Sequence, residues 1–271
     1  MHFPRYYTTE KQLGETPLQA LERLRREKRL PKEIPLAYAG RLDPMASGKL
    51  LILVGDECKV QEKYHAFDKE YIFEILLGVS SDTHDVLGIT TGNEPVHPST
   101  ANVKAVLRKL VGTITLPYPH FSAKTVHGKP LHMWTLEGKL DTIDIPTKTS
   151  KIHTLLLENS RTIDTGALGH EIAEKIESVP RVTDERKALG RDFRRTDVRA
   201  SWGTVFTSYP NETYTILTIR CVASSGTYMR TLASIIGEQL GTRGLAYSIH
   251  RTRIGRFLPL PFLRGFFMKT F

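Results

Sequence analysis

One acidic residue in this chain stands in a setting suited to chemistry. The segment Tyr38-Ala39-Gly40-Arg41-Leu42-Asp43-Pro44-Met45-Ala46-Ser47-Gly48-Lys49-Leu50 holds Asp43 immediately before a proline and between two glycines. Proline drives the preceding residue toward extended geometry, so Asp43 does not lie inside a helix. The glycines permit tight turns on either side, which would present the carboxylate from a loop against a strand. Such a carboxylate could serve as nucleophile or general base. Asp-Pro also initiates Asx-type turns, and local physics alone favours that reading over a catalytic one. Other familiar sites are missing from the sequence: no GxxxxGK[ST] phosphate loop, no GxGxxG, no HExxH and no GxSxG. Its ten histidines are scattered. His120, His127 and His132 come nearest to a group, but no second ligand cluster accompanies them, so no metal is expected.

The longer pattern carries more information. GRLDPMASGKLLILVG resembles the GxLDPxAxGxL motif of the TruB family of tRNA pseudouridine synthases, and further matches follow in the family's order. Lys69-Glu70-Tyr71 and Leu77 to Asp85 (LGVSSDTHD) resemble its K-x-Y strand and LGxxTDTxDxxG segment. Gly226 to Leu232 (GTYMRTL) resembles GTYIRxL, and Arg251 to Gly255 (RTRIG) resembles the RRTRIG stretch. Ser122-Ala123 with Gly128-Lys129 is similar to SAxKxxG, and Gly14 to Thr16 to an early GxTS turn. Together the matches cover most of the chain outside one charged stretch.

The resemblance implies an RNA isomerase that needs no cofactor, no nucleotide cofactor included. It acts on the T-arm of tRNA, with uridine 55 as the family's target. Asp43 would be the catalytic carboxylate, kept as an anion by Arg230, and Tyr71 the aromatic that stacks on the target uracil. Ile249 would take the place of a pocket leucine, with Tyr38, Arg41 and Tyr228 also around the substrate. Lys124, Lys129, Arg251 and Arg253 would be phosphate contacts. There are departures. Tyr38-Ala39-Gly40 stands where the family usually has HTG, Thr125 aligns with the SAxK lysine, and His250 replaces the paired arginine before RTRIG. Most bacterial relatives also carry a C-terminal PUA domain, for which the roughly sixteen residues after Gly255 leave no room.

These residues need a scaffold. Thr16-Pro17-Leu18-Gln19 predicts a helix start with Thr16 as N-cap and a capping box to Gln19, and Leu18, Leu21 and Leu24 then form one apolar stripe. Gly48 to Gly55, Tyr71 to Leu77, Ile152 to Leu157 and Thr213 to Val222 read as strands. Ser99 to Leu110 has helical spacing, and Thr227 to Leu240 predicts a helix with Met229, Leu232, Ile236 and Leu240 inward. Strands and helices mix without a regular βαβ repeat. The expected class is therefore α+β, a pseudouridine synthase fold with a mixed, mainly antiparallel sheet flanked by helices. Glu158 to Ser201 is polar and charged, and reads as a peripheral insertion into one catalytic domain spanning residues 1–271, where it would help to bind RNA.

Composition agrees with a globular protein: 271 residues, 40% apolar and 25% charged. No run of eighteen apolar residues and no signal peptide is present, so a cytoplasmic protein without membrane contact, acting as a monomer, is expected. Cys58 and Cys221 lie far apart and predict neither a disulfide framework nor a thiolate metal site. The formal net charge of +9 fits a polyanionic partner such as RNA. Two alternatives remain at this level: a synthase acting on ribosomal or other RNA, which would share the GRLD aspartate, and a non-catalytic RNA-binding or RNA-folding protein.

Overall fold

A computed structural model describes residues 3–181, 192–260 and 263–271. The chain opens with β1 (Tyr6–Lys11), α1 (Pro17–Glu27), β2 (Leu36–Ala39) and β3 (Ala46–Val54). Next come α2 (Gln61–His65), β4 (Asp68–Leu77), the short pair β5 (Val79–Ser81) and β6 (Thr90–Gly92), α3 (Thr100–Lys109) and β7 (Gly112–Pro117). A small hairpin, β8 (Thr125–Val126) and β9 (Lys129–Pro130), leads into α4 (Leu131–Leu136). The second half runs β10 (Thr147–Asp164), α5 (Thr165–Ser178), α6 (Arg195–Ser208), β11 (Thr213–Ala223), α7 (Met229–Gln239), β12 (Gly244–Leu260) and β13 (Leu263–Thr270).

Nine of the described strands form one sheet in the order β1-β3-β12-β4-β11-β10-β7, with β2 added to β3 and β13 to β12. The pairings are antiparallel except where β12 lies parallel to β3, joining Ile249, His250 and Arg251 to Ala46, Ser47 and Gly48. The α+β class and mainly antiparallel sheet match the expectation. That parallel contact sets β12 between β3 and β4, and there Arg251 faces Tyr71 across the ladder. Gly48 is required at this join: its φ is +109°, and a β-carbon would collide with the main chain of Arg251.

Local signals determine the helix starts. Thr16 accepts from the Gln19 N–H while the Gln19 side chain accepts from the Thr16 N–H, which closes the capping box at α1. Ser99 caps α3 in the same way, accepting from the Asn102 N–H. Leu21 and Leu24 are buried under α1, but Leu18 is 59% exposed and faces a cleft rather than the core.

The stretch from Glu158 to Ser201 departs from its expected peripheral position. Residues 158–164 continue β10 against β11, and Leu168, Ile172 and Ile176 of α5 join Val198 and Trp202 of α6 in the main hydrophobic core. Trp202 is 2% exposed and donates through its indole N–H to the Val86 carbonyl at 3.1 Å. The polar composition misled because only one stripe of each helix is apolar, and one stripe is enough to bury a helix. Residues 182–191 of this stretch lie outside the described residues.

Candidate active site

The loop before β3 is pinned from three sides. The Ala46 N–H donates to the Asp43 carbonyl at 3.0 Å, and the Gly14 N–H donates to the Pro44 carbonyl at 2.9 Å. Arg251 donates to the carbonyls of Lys49 (2.7 Å) and Arg41 (3.3 Å), while Lys11, fully buried, donates to that of Ala46 at 2.5 Å. Leu42 and Met45 are buried beneath the loop. With the backbone fixed this way, the Asp43 carboxylate projects into a cleft of about 880 Å³, where its side chain is 42% exposed.

Arg230 stands behind it. Met229 and Arg230 open α7, and the guanidinium is buried. It donates to the carbonyls of Thr83 (2.9 Å) and Phe121 (3.2 Å), which fix its plane, and its Nε lies 2.8 Å from Asp43 Oδ2. That contact is close enough for an ion pair but not aligned as a hydrogen bond, so Nε is left without a donor geometry of its own. On its other side Nε lies 3.7 Å from Asp85 Oδ2. Asp85 is buried and accepts from the Thr83 hydroxyl (2.7 Å) and the Leu87 N–H (2.9 Å). Burial raises the Asp85 carboxyl above its ordinary pKa, and the Arg230 cation opposes the shift. Burial likewise works against the charge on Arg230, but Asp43 and Asp85 outweigh it. One cation thus serves two carboxylates, one sealed in the core and one open to the cleft.

Tyr71 on β4 and Ile249 on β12 also line the cleft, with Arg251 beside the phenol. Burial pushes the Tyr71 hydroxyl above its usual pKa, and Arg251 pulls the other way. Tyr38, Arg41 and Tyr228 line the same space. Eight of the eleven residues singled out from the sequence are therefore gathered around Asp43: Tyr38, Arg41, Asp43, Tyr71, Tyr228, Arg230, Ile249 and Arg251.

The four basic residues expected on phosphates separate. Arg251 is 1% exposed and holds backbone, so it braces the loop rather than offering a surface charge. Lys129 is 2.7 Å from Glu137 and 3.6 Å from the Trp134 ring centroid, which ties it into the small hairpin. Arg253 lies 3.4 Å from Glu70, whose side chain alternates with those of Lys69 and Tyr71 along β4 and so points to the face away from the cleft. Lys124 is exposed, with its ammonium 5.4 Å from the Tyr118 ring centroid.

Three further groups at the site were given no role by the sequence reading. Asp85 lies within the LGVSSDTHD segment, which was the available signal. Lys69 is the lysine of the K-x-Y match, whereas no local pattern sets Lys11 apart from the other lysines of a basic chain; both are buried, and burial pulls their pKa values down to about 8. Lys69 lines the cleft and donates to the carbonyls of His65 (2.8 Å) and Phe67 (2.5 Å) at the end of α2. Among the described residues, no three His, Cys, Asp or Glu side chains converge as a metal site would require.

Comparison with known proteins adds an independent line. Residues 28–167 match the TruB family pseudouridylate synthase (N terminal domain). The chain is 30% identical over 240 residues to the tRNA pseudouridine synthase B of Bacillus cereus, covering 88% of this chain and 61% of that protein. It is 29% identical over 248 residues to the protein of the same name from Aromatoleum aromaticum, covering 92% and 62%. The chain thus spans about three-fifths of the length of these relatives. Among solved structures, the crystal structure of a Cbf5-Nop10-Gar1 complex matches 92% of this chain and 48% of that one, with a TM-score of 0.54 at 16% identity. That likeness concerns the fold alone.

Proposed function

Because the chain belongs to the TruB family of pseudouridylate synthases, we propose that it isomerises uridine to pseudouridine in RNA, with uridine 55 in the T-loop of tRNA as its target. The observation that carries this reading is the Asp43–Arg230 pair: a carboxylate open to a deep cleft, backed by a buried guanidinium whose orientation two carbonyls determine. The reaction breaks the N-glycosidic bond, rotates the uracil and rejoins it through C5. The C5 proton is lost and N1 gains one, so no redox partner or group donor is needed. Asp43 acts at the ribose, either by attacking the anomeric carbon or by removing a proton from its neighbour. Both routes begin from the anion, and Arg230 stabilises that anion at a fixed place.

A stacked base cannot reach a carboxylate inside such a cleft, so the nucleotide must be flipped out, at a cost of a few kcal/mol. Tyr71 and Ile249 then enclose the uracil, and the Tyr71 phenol, neutral because burial raises its pKa, takes up the proton shed at C5 as it passes its own on to water or toward N1. Tyr38, which also lines the cleft, stands where the family's motif usually has a histidine. Tritium release from an unmodified tRNA transcript labelled at uridine C5 tests the reading. Wild type should release label and Asp43→Asn should not; a transcript with the T-loop uridine replaced should release none, and release from it at an unchanged rate would refute the site. Tight tRNA binding without release by wild type would favour a non-catalytic RNA-binding role instead.

A further inference from the structure

The wall of the cleft nearest Tyr228 continues outward as a small built surface. The Tyr118 ring, at the end of β7, meets Tyr228 edge to face with centroids 5.5 Å apart and planes at 67°. Lys124 lies over the Tyr118 ring. From the neighbouring strand, the aliphatic stem of Lys148 runs along Gly226, so closely that a β-carbon there would stand 2.8 Å from Lys148 Cε. Gly226 lines the cleft two residues before Tyr228, and the Tyr228 phenol feels the charges of both Asp43 and Arg41. Neither Lys124 nor Lys148 makes an ion pair with a carboxylate among the described residues, whereas Lys129 nearby is neutralised by Glu137.

These lysines lie against neighbours without being neutralised by a carboxylate. An exposed lysine normally loses several rotatable bonds of freedom when it captures an anion. Here one ammonium rests over an aromatic face and the other lysine's stem lies along a glycine, which narrows the space each samples before any ligand arrives. A cation held in this way at the mouth of a nucleotide cleft is matched to phosphate. The phosphates that flank a flipped nucleotide remain outside the cleft, where unpaired cations at its mouth offset their charge.

We infer that Lys124 and Lys148, held by the Tyr118–Tyr228 pair and by Gly226, form a phosphate clamp for the nucleotide flanking the flipped uridine, with Tyr118 as the positioning residue for Lys124. The inference rests on the RNA reading above, which already expects Lys124 on phosphate, and goes beyond it in adding Lys148, the nucleotide held and the positioning role of Tyr118. The clamp acts on binding and not on the reacting atoms.

The test measures the Kd for a tRNA transcript by filter binding across a NaCl series, alongside kcat from tritium release. Lys124→Gln and Lys148→Gln should each reduce the slope of log K against log salt by about 0.7–0.9, the value of one lost phosphate contact, and weaken binding about three- to tenfold at 0.1 M salt. Tritium release by wild type, measured in parallel, reports on the isomerase reading separately from the slopes. Lys104→Gln, on the exposed face of α3, is the charge-matched control and should leave the slope unchanged. Tyr118→Leu should reproduce the Lys124→Gln loss and add nothing to it in the double variant, while Tyr118→Phe, which keeps the ring, should bind like wild type. Slopes equal to the control, or a Tyr118→Leu loss that persists in full without Lys124, would overturn the clamp. The slopes come from binding alone, so a wild type that binds tRNA with these slopes but releases no tritium would sink the isomerase reading and leave the clamp standing.

Discussion

Replacing Arg230 with Met tests whether one buried cation serves two carboxylates. The side chain is 4% exposed, donates to two carbonyls, and lies 2.8 Å from Asp43 and 3.7 Å from Asp85. Asp43 can turn to water, but Asp85 cannot. Removing one partner of a buried ion pair costs about 3–5 kcal/mol, mostly because the remaining charge is stranded, and that is the loss expected in urea unfolding at pH 8. The sign of the pH dependence follows from Asp85. Burial already raises its carboxyl above the ordinary 3.8, and losing Arg230 raises it further. A raised folded pKa contributes stability that is fully present below the unfolded value and is lost as pH rises through the folded one. The deficit should therefore shrink as pH falls below the raised folded pKa of Asp85 in the variant, by up to about 1.4 kcal/mol per unit. In an Asp85→Asn background the same substitution should cost about 1–3 kcal/mol less, because no charge is left behind. Activity should fall by about two orders of magnitude or more in both backgrounds, since Asp43 loses its counter-ion in each. A deficit that is independent of pH and identical in the two backgrounds would refute the shared-cation account.

Trp202→Ala should destabilise the fold by about 3–5 kcal/mol in denaturant unfolding, because the indole is buried in the main core and donates to Val86; a surface insertion would give almost no change. Gly48→Ala should cost about 1–3 kcal/mol in backbone strain, read as a lower Tm, and should also lower kcat by parting β3 from Arg251 next to the Asp43 loop. Lys11, held down to about 8 by burial, contributes stability that is present above its unfolded value of 10.5 and lost as pH falls through 8. Wild type should therefore gain unfolding free energy between pH 8 and 10, and Lys11→Met should lose about 1 kcal/mol per pH unit of that gain, leaving the share due to Lys69.

Much of the local structure was legible from the residues alone. Thr16 and Ser99 set their helix starts because a cap depends on atoms three residues apart, and the Asp43 loop followed from the proline after the acid and the glycines around it. Residue order also picked out the members of the cleft, because the motifs that resemble the TruB family supplied Asp43, Tyr71, Arg230 and Ile249 together. What the residues alone could not show is where each side chain points once distant segments meet. Arg251 and Arg253 lie two positions apart on one strand, yet the first is buried against the Asp43 loop and the second pairs with Glu70 on the opposite face. The irregular register of β12 against β4 between them puts them on different faces, and that is a property of the pairing rather than of either residue. Likewise, the charged stretch from Glu158 to Ser201 became core because β10 runs on into it and its helices each bury one apolar stripe. Burial, charge sharing through Arg230 and the insertion of β12 between β3 and β4 all depend on contacts between segments far apart in the chain, and only the tertiary structure decides those.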